Sequence, residues 1–528
     1  MTNSGENLPD SHKLSSVNDC RIITLPRHSE CNGALSVLEN GNDLPFAIRR
    51  VYYLYDIPAD AERGGHSHHR MQAMMVAAAG SFSVEVSDGA ASRRFTLNRP
   101  WQALYIPAGI WRTVKEFSSG SVCLNIVSEE YDEADYVRDY NAFLKLTAEK
   151  RGTPRFKYPF LDLGTVNRPY LQEIKDAAMR VIDSGRYIGG SEVEALESEM
   201  SAITGAPYAI GVSNGLDALR LIFRAYIIKG TLRYGDEVIV PADTFIASAL
   251  AVTDCGLVPV FADPDPDTFN LSAATIEKAI TPRTRAILPV HLYGRICWDD
   301  DIRQIALKHQ LLVIEDSAQA IGAIGATDGL FSSRAAGGIG HAAGFSFYPT
   351  KNIGALGDAG IVTTHDRDLA EIIRSLRNYG STSHYHNIYT GYNCRLDPMQ
   401  AAIIRAKLPH LEAENAHRRS LAEIYTHNIH NPLLKLPVYS GTPAEVWHQY
   451  TVVADNRDRF RKYLADCGVE TAVHYPIPVH LQPCYRQYSD LDLPAAEHIA
   501  SHIVSLPVSS CTSPTDAMEI SAIINKYL

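Results

Sequence analysis

The chain has 528 residues, 45% hydrophobic and 21% charged, with a formal net charge of -11. This is the composition of an ordinary soluble globular protein with room for roughly three domains. The acidic balance without a basic run argues against a nucleic-acid partner, and the absence of a long apolar run argues against a membrane partner. The polar N terminus MTNSGENLPDSHK lacks the apolar core of a secretory signal, and nine scattered cysteines without paired spacing fit free thiols in a reducing compartment, so a cytoplasmic location is expected.

In chain order, residues 1–19 read as a disordered polar tail. Over 20–147 the short runs RVYYLYDI, MQAMMVAAAG, SFSVEVSDG, SRRFTLN, ALYIPAG and SVCLNIVS, punctuated by Gly, Pro, Asn and Asp, predict an all-β barrel or sandwich. Residues 148–158, charged and proline-bearing, read as a linker. At 159 the pattern changes. PYLQEIKDAAMRVIDSG places Leu171, Ile174, Ala178, Val181 and Ile182 at helical spacing and stops at Gly185. Alternating strands and helices over 159–405 predict an α/β domain with a largely parallel sheet, and 406–528 a smaller α+β lobe.

Three motifs carry the chemistry of the second part. GFSFYPTKNIGALGDAG sets Lys351 among small residues, just downstream of VIEDSAQAIGA with Asp316 at the end of an apolar run. A lysine that holds an aldehyde as a Schiff base, paired with a carboxylate that keeps a pyridine nitrogen protonated, points to pyridoxal phosphate. In GVSNGLDALRLIF, residues Ser213, Asn214 and Gly215 sit where a strand turns into a helix, at the end that favours an anion. Such a turn also serves without any ligand. EVIVPADTFIASALAV puts Thr244 and Phe245 at a second turn, where Phe245 either lies against a ring or belongs to the core.

The ordered motifs SNGLDAL, PADTFIAS, PVHLYG, EDSAQAIGA, SFYPTKNIGALGDAG, RNYG, GYNCRLDPMQAA and HYPIPVHLQPCY together resemble the DegT/StrS-type sugar-nucleotide aminotransferases, pyridoxal phosphate enzymes of fold type I. The match runs from PFLDLG almost to the last residue. The resemblance implies Lys351 as the Schiff-base lysine, Asp316 facing the pyridine nitrogen, Gln319 near the ring hydroxyl and Phe245 against the ring. It also implies the Gly215 and Leu216 main chain with Ser346 at the phosphate. Asn393 in the GYN motif matches the residue that reaches the neighbouring subunit's phosphate, which implies at least a homodimer. Some relatives carry histidine in place of the lysine and are sugar dehydratases; Lys351 favours transamination. His474 and His291 lie in motifs the family places near substrate, although a lone histidine beside a strand also serves structurally.

The N-terminal part holds RGGHSHHRMQ. Metal-binding cupins combine His-x-His with a carboxylate four residues on and a further histidine in PxGxxH, all pointing into a barrel. Here His66 and His68 are present, but Gln72 and Arg112 occupy the other two positions, so no metal is expected. With IRRVYYLYDIP, LNRPWQALYIPAGIW, EFSSGSVCL and YDEADYVRDYNAFL, the region resembles the cupin (WxcM-like) 3,4-ketoisomerases of thymidine-diphosphate (dTDP) 4-keto-6-deoxyglucose. That resemblance implies His66 as the base with His68 beside it, and Arg63, Tyr53 and Arg112 as candidate substrate contacts. A multidomain fusion follows, in which a cupin jelly roll makes a 3-keto sugar and the second part aminates it at C3 with glutamate as donor. A barrel that only binds sugar, and a dehydratase second part, are the alternatives.

Overall fold

The structure, a computed structural model, describes residues 15–30, 32–39, 45–151, 156–383 and 385–528. It divides into two compact units at residue 155.

The first unit is a pair of five-stranded antiparallel sheets. One runs in the order Arg21–Thr24, Gln102–Ile106, Ala73–Ala79, Val122–Val127, Arg50–Leu54. The other runs Tyr136–Val137, Arg63–His68, Trp111–Lys115, Phe82–Ser87, Ser92–Leu97. Alternation along the strands supplies the core: Met75, Leu104 and Cys123 from the first sheet pack against Phe82, Val84, Val86 and Val114 from the second.

Two expected boundaries shift. Residues 1–14 of the predicted tail lie outside the described residues, but Val17 is buried in this core and its N–H donates to Asp88 Oδ2 at 3.1 Å. An apolar side chain four residues ahead of the first strand was too little signal to see. The helix Tyr140–Arg151 runs into the predicted linker. At the linker's far end Tyr158 is buried and bridges Val469; residues 152–155 lie outside the described residues.

The second unit is built on a seven-stranded sheet in the order Tyr208–Val212, Gly360–Thr364, Ala342–Ser346, Leu312–Asp316, Thr284–Ile287, Glu237–Pro241, Val258–Ala262. Gly360–Thr364 is antiparallel to both neighbours, and the remaining pairs are parallel. The strands are near-continuous apolar runs because helices cover both faces. Helix Leu171–Ser184 ends at Gly185, φ 63°, and buries Ile174, Ala177 and Val181; Leu171 and Ile182, expected on the same stripe, are exposed.

The smaller lobe carries a three-stranded antiparallel sheet, Leu434–Lys435, Tyr450–Ala454 and Ile503–Leu506, with helices Leu411–Asn428, Arg457–Asp466 and Pro514–Ile524 around Tyr425, Trp447 and Phe460. The entry segment belongs to this lobe too, since Tyr158 N–H donates to the Gly468 carbonyl and Phe160 N–H to Glu470 Oε2. Among the described residues no helix is long and apolar enough to cross a membrane.

Candidate active sites

In an open parallel sheet, ligands bind beyond the carboxyl ends of the strands. The second unit has its cavity there, about 430 Å³, lined by Asn214, Gly215, Phe245, Asp316, Ser346 and Lys351 among others. Strand Leu312–Asp316 delivers its last carboxylate to the floor. Asp316 Oδ2 accepts from Ser248 Oγ at 2.7 Å and Oδ1 from the Ala318 N–H at 3.2 Å. Lys351 enters from the loop after Ala342–Ser346, where desolvation pushes its amine down to about 8 against the opposing pull of Asp316. Gln319 is held by two bonds: Oε1 accepts from the Tyr293 N–H at 2.6 Å, and Nε2 donates to Tyr475 Oη at 3.2 Å. Phe245 is 53% exposed on the rim, its ring 5.4 Å from that of Tyr475.

The anion end of the cavity is the start of helix Gly215–Ile228. Asn214 caps it by accepting the Asp217 N–H at 2.8 Å, while the Gly215 and Leu216 N–H groups, which have no acceptor inside the helix, line the cavity. Gly215 is required by close approach: a Cβ there would stand 2.8 Å from the Cβ of Ser346. An amine lowered towards neutrality, a carboxylate facing the same space and a bare helix start form a donor set that fits pyridoxal phosphate.

Three predicted residues stand elsewhere. Ser213 donates its hydroxyl to Asp217, turned back on the helix rather than into the cavity. His291 is fully buried, with Nε2 2.9 Å from Glu315 Oε2 and Nδ1 accepting the Cys297 N–H at 3.0 Å; both ring nitrogens are occupied, so it packs the unit and does not reach substrate. Asn393 is exposed, bridges Asn378 and does not line its own chain's cavity. His474 does line it, with Nδ1 2.8 Å from Ser505 Oγ; burial and then Lys351 push the ring down to about 4, so it is neutral. Ser248, Tyr475, His448 and Gln449 were missed. Ser248 alone had a visible signal, four residues after Thr244 in PADTFIAS at the start of the helix that the turn leads into, where the two hydroxyls come within 3.0 Å.

In the first unit His66 and His68 extend from strand Arg63–His68 with ring centroids 4.8 Å apart. The Gly64 carbonyl, which can only accept, lies 3.0 Å from His66 Nδ1, so that nitrogen carries the proton and the unprotonated Nε2 accepts from Arg112 Nη2 at 3.3 Å. Burial, then Arg112, pushes His66 down to about 4, and the same two causes push His68 down to about 2. His68 is 2% exposed and its Nε2 has no partner. Tyr136 packs against both rings, at 5.1 and 4.2 Å, receives Arg50 Nη2 at 3.4 Å on its hydroxyl and is capped by Arg138, 4.3 Å from the ring centre. Neither Tyr136 nor the two arginines had a signal in sequence.

Tyr53 and Arg63 stand apart from the histidine pair. Strand Arg50–Leu54 turns Arg50, Tyr52 and Leu54 inward, leaving Tyr53 60% exposed on the opposite face against Tyr55. Arg63 lines a separate cavity of about 420 Å³ with Glu85, Trp111, Thr113 and Tyr140. Gln72, at the lost carboxylate position, is bonded by the Tyr105 hydroxyl at 2.6 Å.

Comparison with known proteins gives matches for both units. The family model of the DegT/DnrJ/EryC1/StrS aminotransferases matches residues 170–525, and the model described as WxcM-like, C-terminal, matches 18–148. Among curated relatives, dTDP-3-amino-3,6-dideoxy-alpha-D-galactopyranose transaminase of Aneurinibacillus thermoaerophilus is 47% identical over 369 residues, 70% of this chain and 99% of the relative. The dTDP-3-amino-3,4,6-trideoxy-alpha-D-glucose transaminase of Streptomyces venezuelae is 43% identical over 371 residues, 70% of this chain and 95% of the relative. Among solved structures, ntda of Bacillus subtilis with the bound cofactor PMP has TM-score 0.62 and 32% identity, covering 70% of this chain and 88% of that one. A lysine-bearing cavity of matching fold, in a chain whose family model covers residues 170–525 of the second unit, identifies the protein: it belongs to the DegT/DnrJ/EryC1/StrS aminotransferase family, uses pyridoxal phosphate, and carries a WxcM-like unit fused ahead of the aminotransferase.

Proposed function

We propose that the chain is a bifunctional nucleotide-sugar enzyme. Its first unit would convert dTDP-4-keto-6-deoxyglucose to the 3-keto isomer, and its second would aminate that ketone to a dTDP-linked 3-amino-3,6-dideoxyhexose. The observation that carries this reading is one chain holding both a neutral histidine pair, His68 buried and His66 half-buried, and the Lys351–Asp316 cavity, the latter in a unit 47% identical to a dTDP-3-amino-sugar transaminase.

In the first unit Arg112 would turn from His66 Nε2 to O4 as substrate binds, freeing Nε2 to take the proton from C3, which is acidified by the C4 ketone, while charge collects on O4. The O3 proton passes to O4, and protonation at C4 leaves the ketone at C3, so atoms balance without a second reactant. His68 Nε2, buried and without a partner, would carry one of these protons.

In the second unit the bound pyridoxal phosphate supplies an electron sink. Lys351 would hold the cofactor and, once released by the amino donor, carry the proton at the substrate carbon; its amine near neutrality suits both tasks. Asp316, fixed by Ser248, would keep the ring nitrogen charged. Gln319 would bond the ring hydroxyl, Phe245 cover the ring, and Gly215, Leu216 and Ser346 hold the phosphate. Glutamate is the proposed amino donor. Assembly is proposed as a homodimer in which Asn393 serves the neighbouring cavity. Its exposure favours this, as do the exposed Ile188 and Tyr379, which line cavities sharing Asn378, the residue Asn393 bridges.

The test is a single incubation of the full chain with dTDP-4-keto-6-deoxyglucose and glutamate in deuterium oxide, read by NMR and mass spectrometry. The amino sugar should carry nitrogen at C3 and deuterium at C4. Lys351→Ala should stop at the 3-keto isomer, and His66→Asn should lower isomerisation by ~10² to 10⁴-fold, the contribution of a general base. Amination at C4, or unimpaired isomerisation by His66→Asn, would refute the scheme.

A further inference from the structure

The back wall of the Lys351 cavity is made by His448 and Gln449, contributed by the smaller lobe. A chain of hydrogen bonds fixes which atoms they present. Asn415 Nδ2 donates to the Ile321 carbonyl at 3.0 Å, which turns Asn415 Oδ1 toward Asn352. Asn352 Nδ2 donates to that oxygen at 2.9 Å and to the Val446 carbonyl at 3.2 Å. Two backbone carbonyls, which can only accept, thus set the orientation of both amides. Asn352 Oδ1 is then the atom 3.0 Å from His448 Nδ1, and being an acceptor it requires the proton to sit on Nδ1.

Burial, and then the charge on Lys351, hold the His448 ring far below its ordinary range, so it carries only that one proton and Nε2 is bare. The side chain 3.5 Å from Nε2 is the Gln449 amide, which must therefore turn its nitrogen to the histidine. The consequence falls on Gln449 Oε1: it is buried, in a side chain only 8% exposed, and has no partner. A buried acceptor left unpaired in a cavity wall calls for a donor brought by the ligand.

The identity of that donor follows from the cavity. Lys351 is committed to the cofactor. The amino donor offers carboxylates, which an acceptor oxygen repels, and its one ammonium group goes to the reacting centre. A hexose offers hydroxyls on both carbons beside its keto carbon. We propose that Gln449 determines sugar specificity in the second unit, its amide oxygen accepting a hydrogen bond from a hydroxyl flanking the carbon that gains the amine. This rests on the transaminase reading above and adds to it the residue that reads the sugar.

The experiment compares Gln449→Leu with the unaltered enzyme on the dTDP-linked 3-keto sugar and on its 2-deoxy and 4-deoxy analogues, by kcat/KM. It also follows the glutamate half-reaction alone through the visible absorbance of the bound cofactor. The unaltered enzyme should prefer the hydroxylated sugar over one of the analogues by about 10- to 100-fold, the range that follows from leaving one buried hydrogen bond unmade. In Gln449→Leu that preference should collapse, with cofactor content and the glutamate half-reaction unchanged. Gln449→Met, of similar length and without a strong acceptor, gives the same reading if the leucine variant does not fold. An equal loss on all three sugars, a loss confined to the glutamate step, or a fall in cofactor content would overturn the proposal. Failure of the unaltered enzyme to turn over any 3-keto sugar nucleotide would overturn the substrate assignment itself, and this proposal with it.

Discussion

A general base must be uncharged before its substrate arrives, and His66, the proposed base, meets that condition through its surroundings. Desolvation is the larger cause and Arg112 the next, and together they hold the ring near 4. The sign is unambiguous: the working form is the neutral one, so activity that depends on His66 is full above this value and is lost as pH falls through it. The acid limb of kcat/KM for isomerisation should therefore lie near pH 4, well below an ordinary histidine. Arg112→Gln removes the second cause and leaves the first, so the limb should move up toward 6.5 without reaching it. A pH profile of the isomerase step on both proteins decides this, and an unmoved limb would show that Arg112 does not act on the base. The histidine pair was legible because His-x-His on a strand puts both rings on one face. Tyr136 and Arg50 were not: Tyr136 lies 68 positions from His68 and meets it only through sheet pairing, and Arg50 comes from the other sheet to bond the Tyr136 hydroxyl.

At the scale of elements, the start of helix Gly215–Ile228 is where packing and chemistry coincide. Gly215→Ala would drive a methyl into Ser346, and overpacking of this kind costs about 1–3 kcal/mol. Because Gly215 and Ser346 both line the cavity, the cost should appear as weaker cofactor retention with the fold intact. Titration of the cofactor-free variant with pyridoxal phosphate, alongside far-UV circular dichroism, measures both. Retention equal to the unaltered chain would mean the two elements are free to part. The alternation of strands and helices was readable from apolar runs and glycine stops, as was the placement of Asp316 and Lys351 after strands. The role of His291 was not. Its partner Glu315 also accepts the N–H groups of Gly337, Ile339 and Gly340, so the histidine closes a buried knot drawn from three separate segments. PVHLYG by itself cannot distinguish a knot from a wall of the cavity.

Over the whole molecule, the proposed sharing of sites can be tested by mixing. Lys351→Ala and Asn393→Ala chains should each be inactive as transaminases, yet a mixed dimer would own one intact cavity and regain activity, while remaining inactive when either is assayed alone. Subunit exchange verified by mass, with no recovery, would remove Asn393 from the neighbour's cavity. Domain boundaries were the least legible feature at this scale. The composition of AEKRGTPRFKYPF marks a break, but a helix of the first unit enters it and Tyr158 near its end is paired with Val469, far along the chain.

That last arrangement has a consequence for synthesis. The segment that opens the second unit docks on Gly468 and Glu470, and the Phe160–Glu470 bond spans 310 residues. At about 5–20 residues per second on a ribosome, the entry segment waits about 15–60 s for its partners to be made. The paired sheets of the first unit are complete by Val137, so they can form while most of the second is still untranslated. The WxcM-like unit would therefore be born first, and the aminotransferase unit would close from both ends at once only when its final lobe emerges.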